Sequence, residues 1–220
     1  MEAYFKVRDG VELLYTKDIA KNPKGAILIN HGFAEHMLRY DNAAKTFMEA
    51  GYTVYRYDLR GHGRSKSQLG YVDTFDDFIL DADEMVDLII RENKDCPIFM
   101  LGHSMGGLIS ALYGIRYKNK LKGQIFSGAA LGTLPSAAGI RKTIYSFAKI
   151  FFGKLKIKNP VDYYVCTVKE VVDAYLADPL VLKKAYLHFY VEFLVSSVRT
   201  LNNGINSYNY PCLITHGGND

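Results

Sequence analysis

Short apolar runs alternate with segments of helical spacing along most of this 220-residue chain. The runs are rich in β-branched and aromatic residues, as β-strands are. They span residues 26–30, 52–59, 97–102, 122–128 and 211–218. Residues 40–51, 74–93 and 105–120 lie between them and carry apolar side chains at the spacing of one helix face. Because strands that alternate with helices form a mostly parallel sheet covered on both faces, we predict an α/β fold.

Two regions depart from this alternation. Residues 4–18 alternate apolar and polar positions around Asp9-Gly10, which predicts a β-hairpin. The stretch from about residue 131 to 200 offers three segments of helical spacing with no strand between them, which indicates an inserted helical cap; they span residues 136–153, 168–179 and 187–203. The predicted organisation has three units: residues 1–130 as the first part of the core, 131–200 as the cap, and 201–220 as the rest of the core.

Composition narrows the class of function. The formal net charge is only +4 and the lysines are scattered except around residues 142–158, so charge gives no reason to expect nucleic-acid binding. The three cysteines are far apart and form no CxxC pair, which argues against a disulfide framework or a zinc site. We predict no cofactor and no metal. Since no run of about eighteen apolar residues and no signal-peptide pattern occurs, we predict a cytoplasmic protein, with at most a peripheral membrane contact.

Residues 102–106, GHSMG, directly follow a predicted buried strand and directly precede a predicted helix. A GxSxG pattern in this context places the serine at a sharp turn that exposes its hydroxyl. Gly102 and Gly106 then lack side chains that would collide with neighbouring segments. Ser104 is therefore the candidate nucleophile of an acyl-transfer reaction. An unreactive serine in a tight glycine turn is the alternative.

The turn that follows the first parallel strand, within residues 27–36, supplies the second part of such a site. Acyl transfer needs two N–H donors for the developing oxyanion, one after the nucleophile and one from the loop after an earlier strand. Met105 and Phe33 are the candidate donors. We predict that His31 and His36 shape this loop and do not act as a general base.

The candidate triad acid is Asp220, which follows a predicted strand and a glycine turn. An ordinary turn aspartate is the alternative. Asp58 also ends a predicted strand and is the main rival. Residues 58–65, however, are more typical of a glycine-rich structural loop held by Arg60 and His62.

Five segments occur together in the order and spacing of one known family. They are HGFAEHMLRYD, YDLRGHGRS, GHSMGG, YLADPL and PCLITHGGND. The whole chain thus resembles monoacylglycerol lipases and related bacterial lysophospholipases, which are α/β-hydrolases. The resemblance implies Ser104 as nucleophile, Asp220 as triad acid, Phe33 and Met105 as oxyanion donors, and the cap as a lid over the acyl chain.

The resemblance also implies a catalytic histidine about one helix and one strand beyond the acid. All six histidines of this sequence precede Asp220. We therefore expect that the last strand and closing helix of the fold are missing and that the catalytic histidine lies outside these 220 residues. Because a serine without a base is a poor nucleophile, the alternative is an inactive hydrolase fold that serves as a binding module.

The cap is apolar enough to bind a long acyl chain. The candidate substrate contacts are Ile144, Phe147, Phe151, Phe189 and Phe193. Apolar side chains recur at helical spacing in residues 140–158, and we favour that this stripe packs on the core or lines a pocket. Because lysines surround it, the alternative is that it also contacts a lipid surface. We predict a hydrolase of carboxylic esters of monoacylglycerol or lysophospholipid type; acyltransferase and peptidase chemistry, the acyl length, the head group and the oligomeric state stay open.

Overall fold

A computed structural model describes residues 2–132, 147, 149–159 and 166–218. Its strands are β1 (Glu2–Lys6), β2 (Glu12–Asp18), β3 (Gly25–Asn30), β4 (Tyr52–Tyr57), β5 (Ile98–His103), β6 (Gly123–Ser127), β7 (Lys156–Lys158), β8 (Lys184–Tyr186) and β9 (Cys212–Thr215). Its α-helices are α1 (Asp41–Glu49), α2 (Asp76–Glu92), α3 (Met105–Arg116), α4 (Lys169–Ala177), α5 (Leu187–Val191) and α6 (Val198–Gly204). A π-helical segment, Glu192–Ser197, joins α5 to α6, and 3₁₀ turns lie at Met37–Tyr40 and Ile205–Ser207.

The large sheet has the strand order β1-β2-β4-β3-β5-β6-β9. The strands from β4 to β9 in this order pair in parallel, and β1 and β2 add an antiparallel edge. The predicted mostly parallel sheet and the hairpin are both confirmed. Every residue of the central strand β3 is buried. The carboxyl ends of β3 and β5 are therefore neighbours, at the edge of the sheet where ligands bind in such folds.

Helices pack on both faces of the sheet because successive strand side chains point to opposite faces. Leu28 and Met100 belong to the larger core with α2 and α3, whereas Ile27 and Leu101 belong to a smaller core with α1. All seven side chains that the pattern places on the apolar face of α2 are buried: Phe75, Phe78, Ile79, Ala82, Met85, Val86 and Ile89. The structure thus has the α/β-hydrolase layering that the resemblance implies.

The region of the predicted cap differs from the prediction in one respect. β7 and β8 form an antiparallel two-stranded sheet, so the absence of strands that we predicted there is wrong. β7 has only three residues, Lys-Ile-Lys, and all are exposed, so it is too short and lacks the buried face that marks a strand in the sequence. The predicted helices at 168–179 and 187–203 are confirmed, whereas the first predicted helix falls largely outside the described residues.

α6 packs against α3, so the last helical stretch of this region is joined to the core. The division into three units at residues 130 and 200 stays a prediction. In the part of the chain that the structure describes, no helix is long and apolar enough to span a bilayer.

Candidate active site

Ser104 lies at the turn between β5 and α3, with φ of +49° and ψ of −117°. A residue with a Cβ rarely adopts this left-handed backbone conformation, which persists only where the surroundings enforce it. The Ser104 N–H donates to the Ser127 carbonyl at 3.1 Å, and the Ser104 carbonyl accepts from the N–H groups of Gly107 and Ala130. Because these contacts fix the backbone on both sides, the side chain is held at a tight, partly exposed turn.

The two glycines of the GxSxG pattern lie where backbone segments touch. A Cβ added at Gly106 would lie 2.1 Å from the Asn30 carbonyl oxygen, at the end of β3. A Cβ added at Gly102 would lie 2.3 Å from the Gly106 carbonyl oxygen. Both distances are far below van der Waals contact, so the predicted reason for glycine at these positions is confirmed.

The loop after β3 lies directly against the turn at Ser104. A Cβ added at Gly32 would lie 3.2 Å from the Cβ of Ser104. Glu35 holds the loop in shape: its Oε1 accepts from the Gly32 N–H and from the Tyr40 hydroxyl, both at 2.6 Å. Its Oε2 accepts from Arg39 Nε at 3.1 Å. The backbone of Phe33, next to Gly32, is thereby placed close to Ser104.

The ionisation of Glu35 suits this clamping role. Burial opposes the charged carboxylate, but the nearby imidazoles of His31 and His103 and the hydrogen bonds from Tyr40 and Gly32 outweigh it, so the pKa of Glu35 is lowered. A carboxylate has acceptor oxygens only. Glu35 can therefore accept all three hydrogen bonds at once.

His31 shapes the same loop, as predicted. Its Nε2 accepts a hydrogen bond from the Leu59 N–H at 3.0 Å, so the ring proton lies on Nδ1, which donates to the Gly32 carbonyl at 2.8 Å. Burial lowers the pKa of His31 to about 4, and the ring stays neutral near pH 7. Because both ring nitrogens are engaged, His31 has no nitrogen to offer to Ser104.

Four other histidines also bind groups other than the Ser104 side chain. Their contacts are His36 Nε2 with Asp178 Oδ2 at 2.8 Å, His62 Nδ1 with the Arg60 carbonyl at 3.0 Å, His103 Nδ1 with the Ser127 carbonyl at 2.8 Å, and His188 Nε2 with the Asp73 carbonyl at 2.9 Å. His216 follows β9. His36 contacts the cap region and no group of its own loop through this bond, so its loop-shaping role stays a prediction.

The rival acid Asp58 is a structural residue. It is 1% exposed, and its two carboxylate oxygens accept from the N–H groups of Met37 and Arg64 at 2.9 and 2.7 Å. Arg60 in the same loop forms a buried ion pair with Asp81 at 2.7 Å. The prediction of a structural loop at 58–65 is therefore confirmed. Asp220 and Ile144 lie outside the described residues.

Aromatic side chains of the cap region surround Phe33. Ring centroids of Phe189, Tyr190 and Phe193 lie 5.3, 5.4 and 6.0 Å from that of Phe33. The structure thus brings two of the predicted substrate contacts, Phe189 and Phe193, to the loop that carries Phe33. Our sequence reasoning missed Tyr190, although it is next to Phe189 in the same apolar segment.

Phe147 and Phe151 lie elsewhere, on the surface. They are 56% and 65% exposed, and Ile150 is 75% exposed. The two phenylalanine rings contact each other at a tilt of 35°, with centroids 4.3 Å apart. Packing of this stripe on the core, which we favoured together with a pocket lining, is therefore wrong for these three side chains, because the described part of their helix turns its apolar residues outward.

Within the described residues, no cluster of His, Cys, Asp and Glu side chains could hold a metal ion. The site consists of a constrained serine, a clamped loop against it and an aromatic wall. Such an arrangement can present a nucleophile and two backbone donors to the carbonyl of a substrate with an apolar chain.

Comparison with known proteins extends this geometric description. The profile of the family described as serine aminopeptidase, S33 matches residues 21–220. A monoacylglycerol lipase of Mycolicibacterium smegmatis is 32% identical over 96% of this chain and 76% of its own length. The monoglyceride lipase of Mus musculus is 30% identical over 90% of this chain. The chain spans 66% of the length of that mouse relative.

A solved structure shows the same fold. The soluble variant of the monoglyceride lipase from Saccharomyces cerevisiae, in complex with a substrate analogue, superposes with a TM-score of 0.84 at 23% identity. The superposition covers 99% of this chain and 77% of the yeast chain.

Proposed function

Because the chain belongs to the serine aminopeptidase, S33 family, we propose that it hydrolyses carboxylic esters through an acyl-enzyme at Ser104. The observation that carries the proposal is the constrained turn at Ser104, with the glycine loop of residue 32 against its Cβ. The nucleophile of an α/β-hydrolase lies on such a strained turn at the carboxyl end of a central strand.

In the proposed reaction, Ser104 Oγ attacks the ester carbonyl carbon and its proton passes to a general base. The carbonyl oxygen becomes an oxyanion that accepts hydrogen bonds from the N–H groups of Phe33 and Met105. Met105 is the first residue of α3, so its N–H is among those that have no partner inside the helix. Collapse of the intermediate breaks the ester C–O bond, and the base returns the proton to the leaving alcohol. Water then gives a proton to the base and attacks the acyl-enzyme, which releases the carboxylic acid as Ser104 Oγ recovers the proton.

We assign the triad acid to Asp220, in keeping with the resemblance, and no base to the five histidines whose contacts are described above. His31 supports this exclusion, since a pKa of about 4 makes it a weak base and both its nitrogens are engaged. Proton transfer to His31 would first require the loss of a buried hydrogen bond. The other four histidines each bind a carbonyl or carboxylate oxygen through one ring nitrogen, and none of these contacts is with the Ser104 hydroxyl.

The proposed substrate is a long-chain acyl ester of glycerol or of a lysophospholipid. We call the loop of residues 31–36, which carries Phe33, the oxyanion loop. The aromatic wall of Phe189, Tyr190 and Phe193 around Phe33 supports an apolar acyl group beside it. The names of the relatives, monoacylglycerol lipase and monoglyceride lipase, support the glycerol ester.

We further propose that the cap contacts a lipid surface from the cytoplasmic side. The exposed apolar side chains of this surface are Phe147, Ile150, Phe151, Phe152 and Leu155, at 55–75% exposure. Exposed lysines flank them in the β7–β8 sheet, where Lys158 lies opposite Lys184. Apolar groups that enter the acyl region beside lysines that meet headgroup phosphates are typical of peripheral membrane binding. We call these residues the lipid-facing surface.

Labelling with a fluorophosphonate probe tests the ester hydrolase proposal. The probe should modify the full-length protein, the parent of all variants below, at Ser104, as mass spectrometry of the peptides would show, and Ser104→Ala should abolish the labelling. Ser207→Ala is the matched control and should label like the parent, because Ser207 is exposed and far from Ser104 in sequence. Binding of a monoacylglycerol by a parent chain that does not label would instead favour a binding module, and undiminished labelling of Ser104→Ala would exclude Ser104 as the nucleophile.

A further inference from the structure

We propose that Asp178 in the cap is a positioning residue that holds the oxyanion loop through His36. The inference rests on the proposed function of the Ser104 site and adds a residue to it. It also gives a role to the YLADPL segment, residues 175–180, which the catalytic assignment leaves without one.

The contact between the cap and the loop is built from largely buried polar groups. His36 Nε2 donates to Asp178 Oδ2 at 2.8 Å, and the His36 side chain is only 5% exposed. The second carboxylate oxygen of Asp178 accepts from the Leu180 N–H at 2.8 Å. Because that backbone hydrogen bond fixes the direction of the carboxylate, Asp178 presents a rigid acceptor to the imidazole.

Two more contacts join the same segments. The Leu182 N–H donates to the Ala34 carbonyl at 2.8 Å. The Arg39 guanidinium lies over the Tyr175 ring, 4.9 Å from its centroid. The cap therefore contacts the chain at three residues that follow Phe33: Ala34, His36 and Arg39.

The loop needs this external support because part of it is strained. Ala34, the residue after Phe33, has φ of +66°, a left-handed conformation that is costly for alanine. Glu35 fixes the internal shape of the loop through Gly32. The Leu59 N–H bound to His31 and the Asp58 carboxylate bound to the Met37 N–H tie its two ends to the core, and the cap contacts hold the part between them. A shift of the loop would carry the Phe33 N–H away from Ser104, and a misplacement of about 1 Å can lower a rate about 100-fold.

The test compares Asp178→Ala with Asp173→Ala, an exposed aspartate on α4 in the same region whose partner is Lys169. Hydrogen–deuterium exchange of residues 33–37 measures the loop directly and does not depend on catalysis. We expect Asp178→Ala to speed exchange there at least tenfold and to lower the rate constant of fluorophosphonate labelling about 10- to 100-fold. Asp173→Ala should change neither, and Asp178→Asn, which keeps an acceptor oxygen, should restore most of both values.

The double variant His36→Ala/Asp178→Ala separates positioning through His36 from a general loss of structure. If Asp178 acts through His36, the double variant should label no more slowly than the slower single variant. Multiplicative losses, or unchanged exchange in Asp178→Ala, would overturn the proposal. If the parent chain does not label at all, the ester hydrolase proposal fails, whereas the exchange measurement still decides whether Asp178 holds the loop.

Discussion

At the scale of single residues, the site concentrates backbone strain next to the proposed chemistry. Ser104 and Ala34 both have positive φ values although neither is glycine. Each is held by hydrogen bonds from other segments, Ser104 through Ser127 and Ala130 and Ala34 through Leu182. The surrounding fold therefore supplies the free energy that keeps these two residues in place, and the side chain at 104 is retained at a cost in stability.

This strain predicts an unusual order of stability for substitutions at residue 104. Glycine adopts the observed angles without a Cβ penalty, so Ser104→Gly should be more stable than Ser104→Ala by about 1–2 kcal/mol. At an exposed helical position such as Lys45, the order should be the reverse, by about 1 kcal/mol. Urea unfolding of the four variants measures both differences. A more stable alanine variant at residue 104 would show that the turn is not strained.

At the scale of elements, Glu192 couples the π-helical segment to the start of α2. It is 6% exposed, and its Oε2 accepts from the Phe75 N–H at 3.0 Å. Its Oε1 accepts from Lys149 Nζ at 2.6 Å. A single buried carboxylate thus joins three segments that are distant in sequence, and one of them leads into the lipid-facing surface.

Glu192→Ala should lower the free energy of unfolding by about 2–4 kcal/mol. The substitution leaves the buried Phe75 N–H without its acceptor and Lys149 without its partner, and both losses are costly. Glu49→Ala, at a 63% exposed glutamate paired loosely with Lys45, should cost less than about 0.5 kcal/mol. Thermal or urea unfolding compares the two, and equal small losses would mean that Glu192 does not stabilise the fold.

The sequence predicted the elements whose signals are local. α2 shows helical spacing over its whole length, and the glycines around Ser104 mark the turn that they make possible. β7 and the π-helical segment were not predicted, because three exposed residues and a small change in helix winding leave no periodic signal. The contact of His36 with Asp178 spans 142 positions, so no local pattern encodes it. The aromatic wall around Phe33 was predicted only as apolar segments, since which rings meet depends on packing.

At the scale of the whole molecule, the lipid-facing surface and the aromatic wall around Phe33 lie on segments that contact each other. The lipid-facing surface is hydrogen-bonded to the helix that lines the site: Leu187 N–H donates to the Leu155 carbonyl and His188 N–H to the Gly153 carbonyl. The next residue along that helix, Phe189, contacts Phe33. The two residues that bind the segment of the lipid-facing surface, Leu187 and His188, therefore directly precede a residue of the aromatic wall.

Vesicle binding tests the lipid-facing surface without any need for catalysis. We expect the chain to sediment with vesicles that contain phosphatidylglycerol, more weakly with pure phosphatidylcholine, and more weakly still at high salt, which screens the lysines. Phe151→Asp should lower the partition coefficient at least tenfold, because burial of one large apolar side chain contributes about 1.5–3 kcal/mol. Ile19→Asp, at a 65% exposed residue distant from this surface in sequence, is the control. Equal binding by the two variants would contradict the proposal.

The packing of Phe33 has a consequence for how such a protein can diversify. One residue contributes its amide to the proposed reaction and its ring to the wall that would select the acyl chain. Exchange of Phe189 or Phe193 to admit another chain length would push on that ring and so retune turnover as well. Acyl-chain preference and turnover rate would then change together, and a variant with a new preference would need a compensating substitution nearby to recover its rate.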